Sequence, residues 1–251
     1  GVTGAVDTRF LVQAARLTED KKDPEDVQSI TLEAEGVCLD VRSGSSTKRL
    51  LDSVSVTFEG GSGTALLGPA GAGKTSLLNT VCGHGSKPSS GCVRANGGTV
   101  ASAQGIATTL RGLVSFTPQN DKMFGALTVD ETWRFAASLA GSHETHVQEL
   151  ADRLGMTDKL WTRVRRLSGG EARRVSVGLA FLSNRPVVVV DEATSSLDSI
   201  TALALARALL EAATTQGRTV LTSLHAPSWA LLSAGFDKAV LLGFGGRMLF
   251  S

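Results

Sequence analysis

The chain has 251 residues, 42% of them apolar, and a formal charge of +1 from 25 basic and 24 acidic side chains. That balance demands no polyanionic partner, so no nucleic acid is expected, and the length suffices for a sizeable core in one large or two small domains. Three cysteines (Cys38, Cys82, Cys92) lack metal-ligand spacing and suit a reducing compartment, the N-terminus shows no charged-then-apolar signal, and no apolar run reaches about 18 residues.

Residues 1–28 are polar and are expected to form an arm or linker, with Asp20, Lys21, Lys22, Asp23, Pro24, Glu25 and Asp26 as its charged stretch. Phe10, Ala14 and Leu17 could make one short helix face, although a loosely docked arm is the preferred reading. Residues 29–251 are expected to be one folded domain. Its first part, to about Arg94, holds alternating segments at 31–41 and 54–58 that predict strands of an antiparallel layer. Turns are expected at 43–46 and 87–91.

Within this first part, Ala65, Leu66 and Leu67 predict a strand, and Ser76, Leu77, Leu78 and Asn79 open a helix. Between them Gly68, Pro69, Ala70, Gly71, Ala72, Gly73, Lys74 and Thr75 fit G-x-x-x-x-G-K-[ST] without a mismatch. Glycines let backbone N–H groups converge on phosphate, Lys74 supplies a point charge, and Thr75 offers its hydroxyl to Mg²⁺. A glycine-rich turn with a chance lysine is the plain alternative. The strand–loop–helix context speaks against it.

Residues 119–167 read as mainly helical. Thr128, Val129, Asp130 and Glu131 have a capping pattern ahead of Trp133, Phe135, Ala136 and Leu139, and His146, Leu150 and Leu154 fall at helical steps. Ser168, Gly169 and Gly170 then open a further helix, whose amides and serine hydroxyl make a second phosphate site. Val187, Val188, Val189 and Val190 predict a strand buried on both faces at the centre of a parallel sheet. Asp191 and Glu192 end it, where open α/β sheets place ligands. Asp191 is expected to hold Mg²⁺ through water, and Glu192 to orient and polarise the attacking water, a role worth about 10²–10⁴-fold in rate. Another apolar run, 219–221, leads to Ser223, Leu224 and His225. The segment 168–251 alternates helix and strand, returning to the parallel core.

Taken together, the cradle and the run Leu167, Ser168, Gly169, Gly170, Glu171 resemble the nucleotide-binding domain of ABC ATPases, whose signature is Leu-Ser-Gly-Gly. The resemblance implies an α/β fold of the P-loop NTPase (RecA-like) type: a mostly parallel sheet core, an antiparallel β layer and a helical insert at about 119–167. It also implies ATP and Mg²⁺ as ligands. Gly68 to Ser76, Gln119, Ser168, Gly169 and Gly170 would bind ATP, with Thr75, Gln119 and Asp191 at the metal and Glu192 and His225 in catalysis. In the family two domains pair head to tail, each nucleotide lying between one cradle and the other signature. Ser195, Ser196, Leu197 and Asp198 match the loop crossing that interface, and Gln119 matches the hinge glutamine that couples nucleotide to the membrane partner.

Softer matches resemble the G subfamily of ABC transporters: Gln119, Asn120, Asp121, the stretch 127–132, Arg173 to Gly178, and Phe236, Asp237, Lys238. An exporter would place this domain on the cytoplasmic face of a membrane. Its partners would be a second nucleotide-binding domain, identical or not, and a transmembrane domain, C-terminal or on a separate chain. A soluble ABC ATPase acting on ribosomes or DNA is the alternative, and a cassette that binds without turnover is a third. Ala193 replaces a proline and Ala226 a glutamine usual in the subfamily. The stretch 154–166 is short and carries Arg163, Arg165 and Arg166, which bears on docking rather than hydrolysis. Residues 41–48 hold no aromatic to stack on adenine, so Arg42 either stacks there or is a solvated arginine. Phosphate contacts are expected to dominate affinity, with poor discrimination between ATP and GTP.

Overall fold

A computed structural model describes residues 29–251 except 45, 121, 122 and 142–145. The expectations for the arm at 1–28 and for Asp121 lie outside the described residues. The chain runs through β1 (Leu32–Ser43), β2 (Ser46–Phe58), β3 (Gly63–Leu67), α1 (Lys74–Val81), β4 (Ser90–Ala95), β5 (Gly98–Ser102), β6 (Gly105–Ile106), α2 (Thr108–Leu113) and β7 (Val114–Thr117). It continues through α3 (Val129–Ala140), α4 (His146–Arg153), α5 (Gly169–Leu182), β8 (Val187–Val190), α6 (Ser199–Gln216), β9 (Thr219–Ser223), α7 (Trp229–Leu232), β10 (Lys238–Leu242) and β11 (Met248–Phe250).

Two sheets form. One has the order β2-β1-β4-β5-β6 and is antiparallel throughout. The other has the order β11-β10-β3-β9-β8-β7, parallel except for β11. This is the α/β class and layer arrangement expected. Two details differ. Strand β2 begins at Ser46, eight residues before the alternating segment, because pairing with β1 carries it on through polar positions. Strand β8 is not central: it lies between β9 and the edge strand β7. Burial on both faces reports covering layers, not rank within a sheet.

The valines of β8 show what covers it. Val187 and Val189 belong to a core with Leu77, Leu78 and Val81 of α1 and with Leu32, Val54 and Phe58 of the antiparallel layer. Val188 and Val190 belong to a second core with Trp133 of α3, Val175 and Val177 of α5, and Leu205 and Leu209 of α6. Alternation along the strand sends successive side chains to opposite faces. All four are fully buried, each stabilising the fold by about 1.5–3 kcal/mol. Helix α1 is thus held between the two sheets, and the loop before it inherits that fixity.

The helical part of 119–167 packs on the second core. Thr128 caps α3 with a reciprocal capping box to Glu131, as the sequence pattern requires. Trp133 is fully buried, and its Nε1–H donates to Val175 O at 3.0 Å. Gly178 makes room for that ring: a Cβ there would stand 2.7 Å from it. Short 3₁₀ turns at Thr157–Lys159 and Val164–Arg166 lead the chain back to α5.

Candidate nucleotide site

The loop from Gly68 to Gly73 joins the C-terminal end of β3 to α1. Gly73 precedes the helix in a left-handed conformation, φ 97°, and no side chain caps the first turn. Nor does that turn hold an acidic residue. Its N–H groups are left for an anion, which the helix dipole also favours. A Cβ at Gly73 would lie 2.7 Å from Leu50 O, so the position needs glycine for space as well as for φ. The Lys74 ammonium is buried against its own loop, donating to Gly68 O at 2.7 Å and Pro69 O at 3.1 Å. Thr75 is exposed and Ser76 half-buried at the start of the helix.

Asp191 ends β8 and is buried. Its Oδ1 accepts the Ser223 hydroxyl at 2.5 Å, while its Oδ2, also buried, has no hydrogen-bond partner among the described residues. A buried, half-satisfied carboxylate is costly unless a cation or donor completes it, so the residues present fit a divalent metal. No cluster of three or more His, Cys, Asp or Glu stands ready for a metal among the described residues, so phosphate or water oxygens would have to fill the remaining positions.

Glu192 adopts φ 54°, uncommon for a non-glycine residue. Its N–H donates to Ser223 Oγ at 2.7 Å, Gln119 Nε2 donates to its Oε2 at 2.8 Å, and its carbonyl accepts from the Ser195 hydroxyl at 3.0 Å. Ser223 therefore accepts from one acidic residue and donates to the other. Arg173, fully buried on α5, donates to Pro118 O at 2.8 Å and also to Asp191 O. It ties the segments bearing Gln119 and Asp191 to one helix. His225 is exposed just beyond β9, after Leu224, whose N–H donates to Leu66 O at 3.0 Å. The next residue, Ala226, is also left-handed, at φ 43°. Because β3, β9 and β8 are consecutive neighbours, the cradle, His225 and the Asp191–Glu192 pair share one sheet edge. Two strand spacings, about 10 Å, cover the distance from β3 to β8.

Ser168, Gly169 and Gly170 are not part of that edge. They line a separate cleft of about 320 Å³ with Arg174, Ser196, Leu197, Asp198 and Thr201, and no cradle residue lines it. Ser168 caps α5, its Oγ accepting from Glu171 N at 3.3 Å while Glu171 Oε2 accepts Ser168 N–H at 2.8 Å. Lys159 pairs with the other Glu171 oxygen at 3.1 Å. The Ser168 N–H, followed by Lys159, holds the Glu171 carboxyl below its usual range. Opposite, Asp198 caps α6 and is likewise held low, chiefly by the Thr201 hydroxyl.

Sequence reasoning missed Ser223 and Arg173 as contributors. Ser223 carried no motif. In the sequence Arg173 is only a subfamily match, since a buried arginine on a helix cannot be told from a surface one without its partners.

The family model described as "ABC transporter" matches residues 51–195. ABC transporter G family member 4 of Arabidopsis thaliana is 36% identical over 202 residues, covering 78% of this chain and 34% of the relative. An uncharacterized ABC transporter ATP-binding protein of Mycobacterium tuberculosis (strain CDC 1551 / Oshkosh) is 33% identical, covering 83% of this chain and 84% of the relative. Among solved structures, a dimeric bacterial ABC transporter cassette superposes with a TM-score of 0.73 at 22% identity, covering 87% of this chain and 96% of that one. The chain spans about a third of the length of the plant relative.

Proposed function

The chain belongs to the ABC transporter family, as an ABC ATPase cassette, and on that premise we propose that it hydrolyses ATP to power export through a transmembrane partner of the G type. One observation carries the reading: the phosphate cradle, the carboxylate pair Asp191–Glu192 and His225 end three neighbouring strands of one parallel sheet. A triphosphate seated on the α1 N–H groups would reach along that edge. Backbone N–H groups between Gly68 and Ser76 (Pro69 has none) and the Lys74 ammonium bind the β- and γ-phosphates. Thr75, Gln119 and Asp191 would hold Mg²⁺ with phosphate oxygens. When bound, that ion neutralises charge developing on the transferring phosphoryl group.

Glu192 would orient a water and take its proton as the new P–O bond forms and the β–γ bridging bond breaks, ADP leaving. Gln119 fixes the carboxylate beforehand, and His225 contacts the γ-phosphate. The Ser168–Gly170 cleft completes the site of a second cassette docked head to tail, Ser168 Oγ and the α5 amides meeting its γ-phosphate. Attachment to the transmembrane partner falls to the helical part: Phe135 and Leu139, one turn apart on α3, are exposed, as is Phe124 before the helix. No described helix is long and apolar enough to cross a membrane.

The test is nucleotide-dependent association. Glu192→Gln should bind ATP, stop turning over and accumulate as an ATP-bound dimer seen by size-exclusion chromatography with light scattering. Steady-state turnover near wild type in that variant at saturating ATP would remove Glu192 from the role.

A further inference from the structure

Residues 41–48 offer no aromatic for the base, but Phe244 stands on a turn that meets the cradle. The turn between β10 and β11, residues 243–247, packs directly on the phosphate cradle. A Cβ at Gly68 would collide with Leu242 O, and one at Gly73 would stand 3.6 Å from Gly246 Cα. Gly246 in turn lies so close to Leu50 O on β2 that it too has no room for a Cβ. Three bonds fix the turn. Gly243 N–H donates to Arg247 O at 2.8 Å, closing it, and Asp52 N–H donates to Gly246 O at 3.0 Å. Arg247 Nε then pairs with Asp52 Oδ2 at 2.8 Å, and Asp52 also pairs with Arg49.

On this clamped turn Phe244 is 76% exposed. The other large aromatics exposed among the described residues lie elsewhere: Phe124, Phe135 and Trp161 in the helical part, Trp229 on α7 and Phe250 on β11. Phe244 alone among them stands on a segment in contact with the glycines of the cradle. An exposed phenyl ring on a turn that packs against a phosphate cradle is a candidate stacking platform whose backbone is already ordered, so little entropy is lost when a base covers it.

We propose that Phe244 is the base-stacking residue of this nucleotide site, taking the purine of ATP on its ring face. The proposal rests on the cradle being a nucleotide site, as read above. A ring face reads no base edge, so ATP and GTP should gain alike, and phosphate contacts still supply most of the affinity.

Binding of MgATP, MgGTP and tripolyphosphate to the wild-type chain, Phe244→Ala and Phe244→Trp tests it. Phe244→Ala should weaken both nucleotides about tenfold and leave tripolyphosphate, which has no base, unchanged. Phe244→Trp should retain ATP affinity, with indole fluorescence altered by ATP and not by tripolyphosphate. Unchanged ATP affinity in Phe244→Ala overturns the proposal. Equal loss of ATP and tripolyphosphate also overturns it, because the ring would then be shaping the cradle. If wild type binds none of the three probes, the nucleotide reading itself falls and takes this proposal with it.

Discussion

Gln119 donates from Nε2 to Glu192 Oε2 at 2.8 Å, joining residues 73 positions apart in the chain. The amide fixes the orientation of the carboxylate that serves as general base in the proposed reading. Gln119→Ala would remove that contact, and Gln119→Glu would set a second carboxylate against the first across it. Steady-state ATPase turnover should fall in both variants, and further in Gln119→Glu. Turnover equal to wild type in both variants would separate this contact from the working site.

Ser223 serves both acidic residues, so its loss should be felt twice. Ser223→Ala leaves Asp191 Oδ1 and Glu192 N–H without their shared partner in a buried setting. A cost of about 2 kcal/mol is expected, lowering the melting temperature by several degrees. Thermal unfolding followed by circular dichroism measures it. A midpoint equal to wild type would show that water replaces the hydroxyl freely.

Composite sites make a mixing prediction. Lys74→Ala and Ser168→Arg each damage both sites of their own homodimer. Mixed dimers would hold one site with both lesions and one with neither, so activity should partly return as the two variants are combined. No recovery at any ratio, with mixed dimers shown to form, would count against the head-to-tail arrangement.

The start of α5 should be acid-sensitive. Glu171 titrates below its usual value because the Ser168 N–H and Lys159 favour the carboxylate. A depressed carboxyl contributes stability that is present above the unfolded value, about pH 4.3, and fades as pH falls through the folded one. Wild type should therefore exceed Glu171→Gln in stability at neutral pH, with the gap closing below about pH 4. Urea denaturation at a series of pH values reads this. A gap constant from pH 7 to pH 3 would mean that the ion pair contributes nothing.

What was legible in the sequence was local. Gly68 to Thr75, the Ser168 cap and the four valines each declare themselves within a few residues, because strand, tight loop and helix start have short-range signatures. Burial of β8 was readable, but its place beside the edge strand was not, since strand order is set by crossovers rather than composition. Ser223, Arg173 and Phe244 escaped for a common reason. Ser223 meets Asp191 across 32 positions, and Arg173 reaches Asp191 across 18. The turn bearing Phe244 meets the cradle because β10 and β3 are neighbours in the sheet. No spacing rule spans such distances.

Helix α5 has a consequence for timing. Its first cap, Ser168, faces a cleft that would receive one nucleotide, while Arg173, five residues on, grips the backbone beside Gln119 and Asp191 of the other site. At 1.5 Å per residue the two points stand about 7.5 Å apart on one rigid rod. A tilt of that rod as a neighbour's phosphate leaves would tug the carbonyls of Pro118 and Asp191 together. In the head-to-tail pair proposed above, the two reaction centres would then be geared to each other, so that departure of phosphate from one would be felt at its twin.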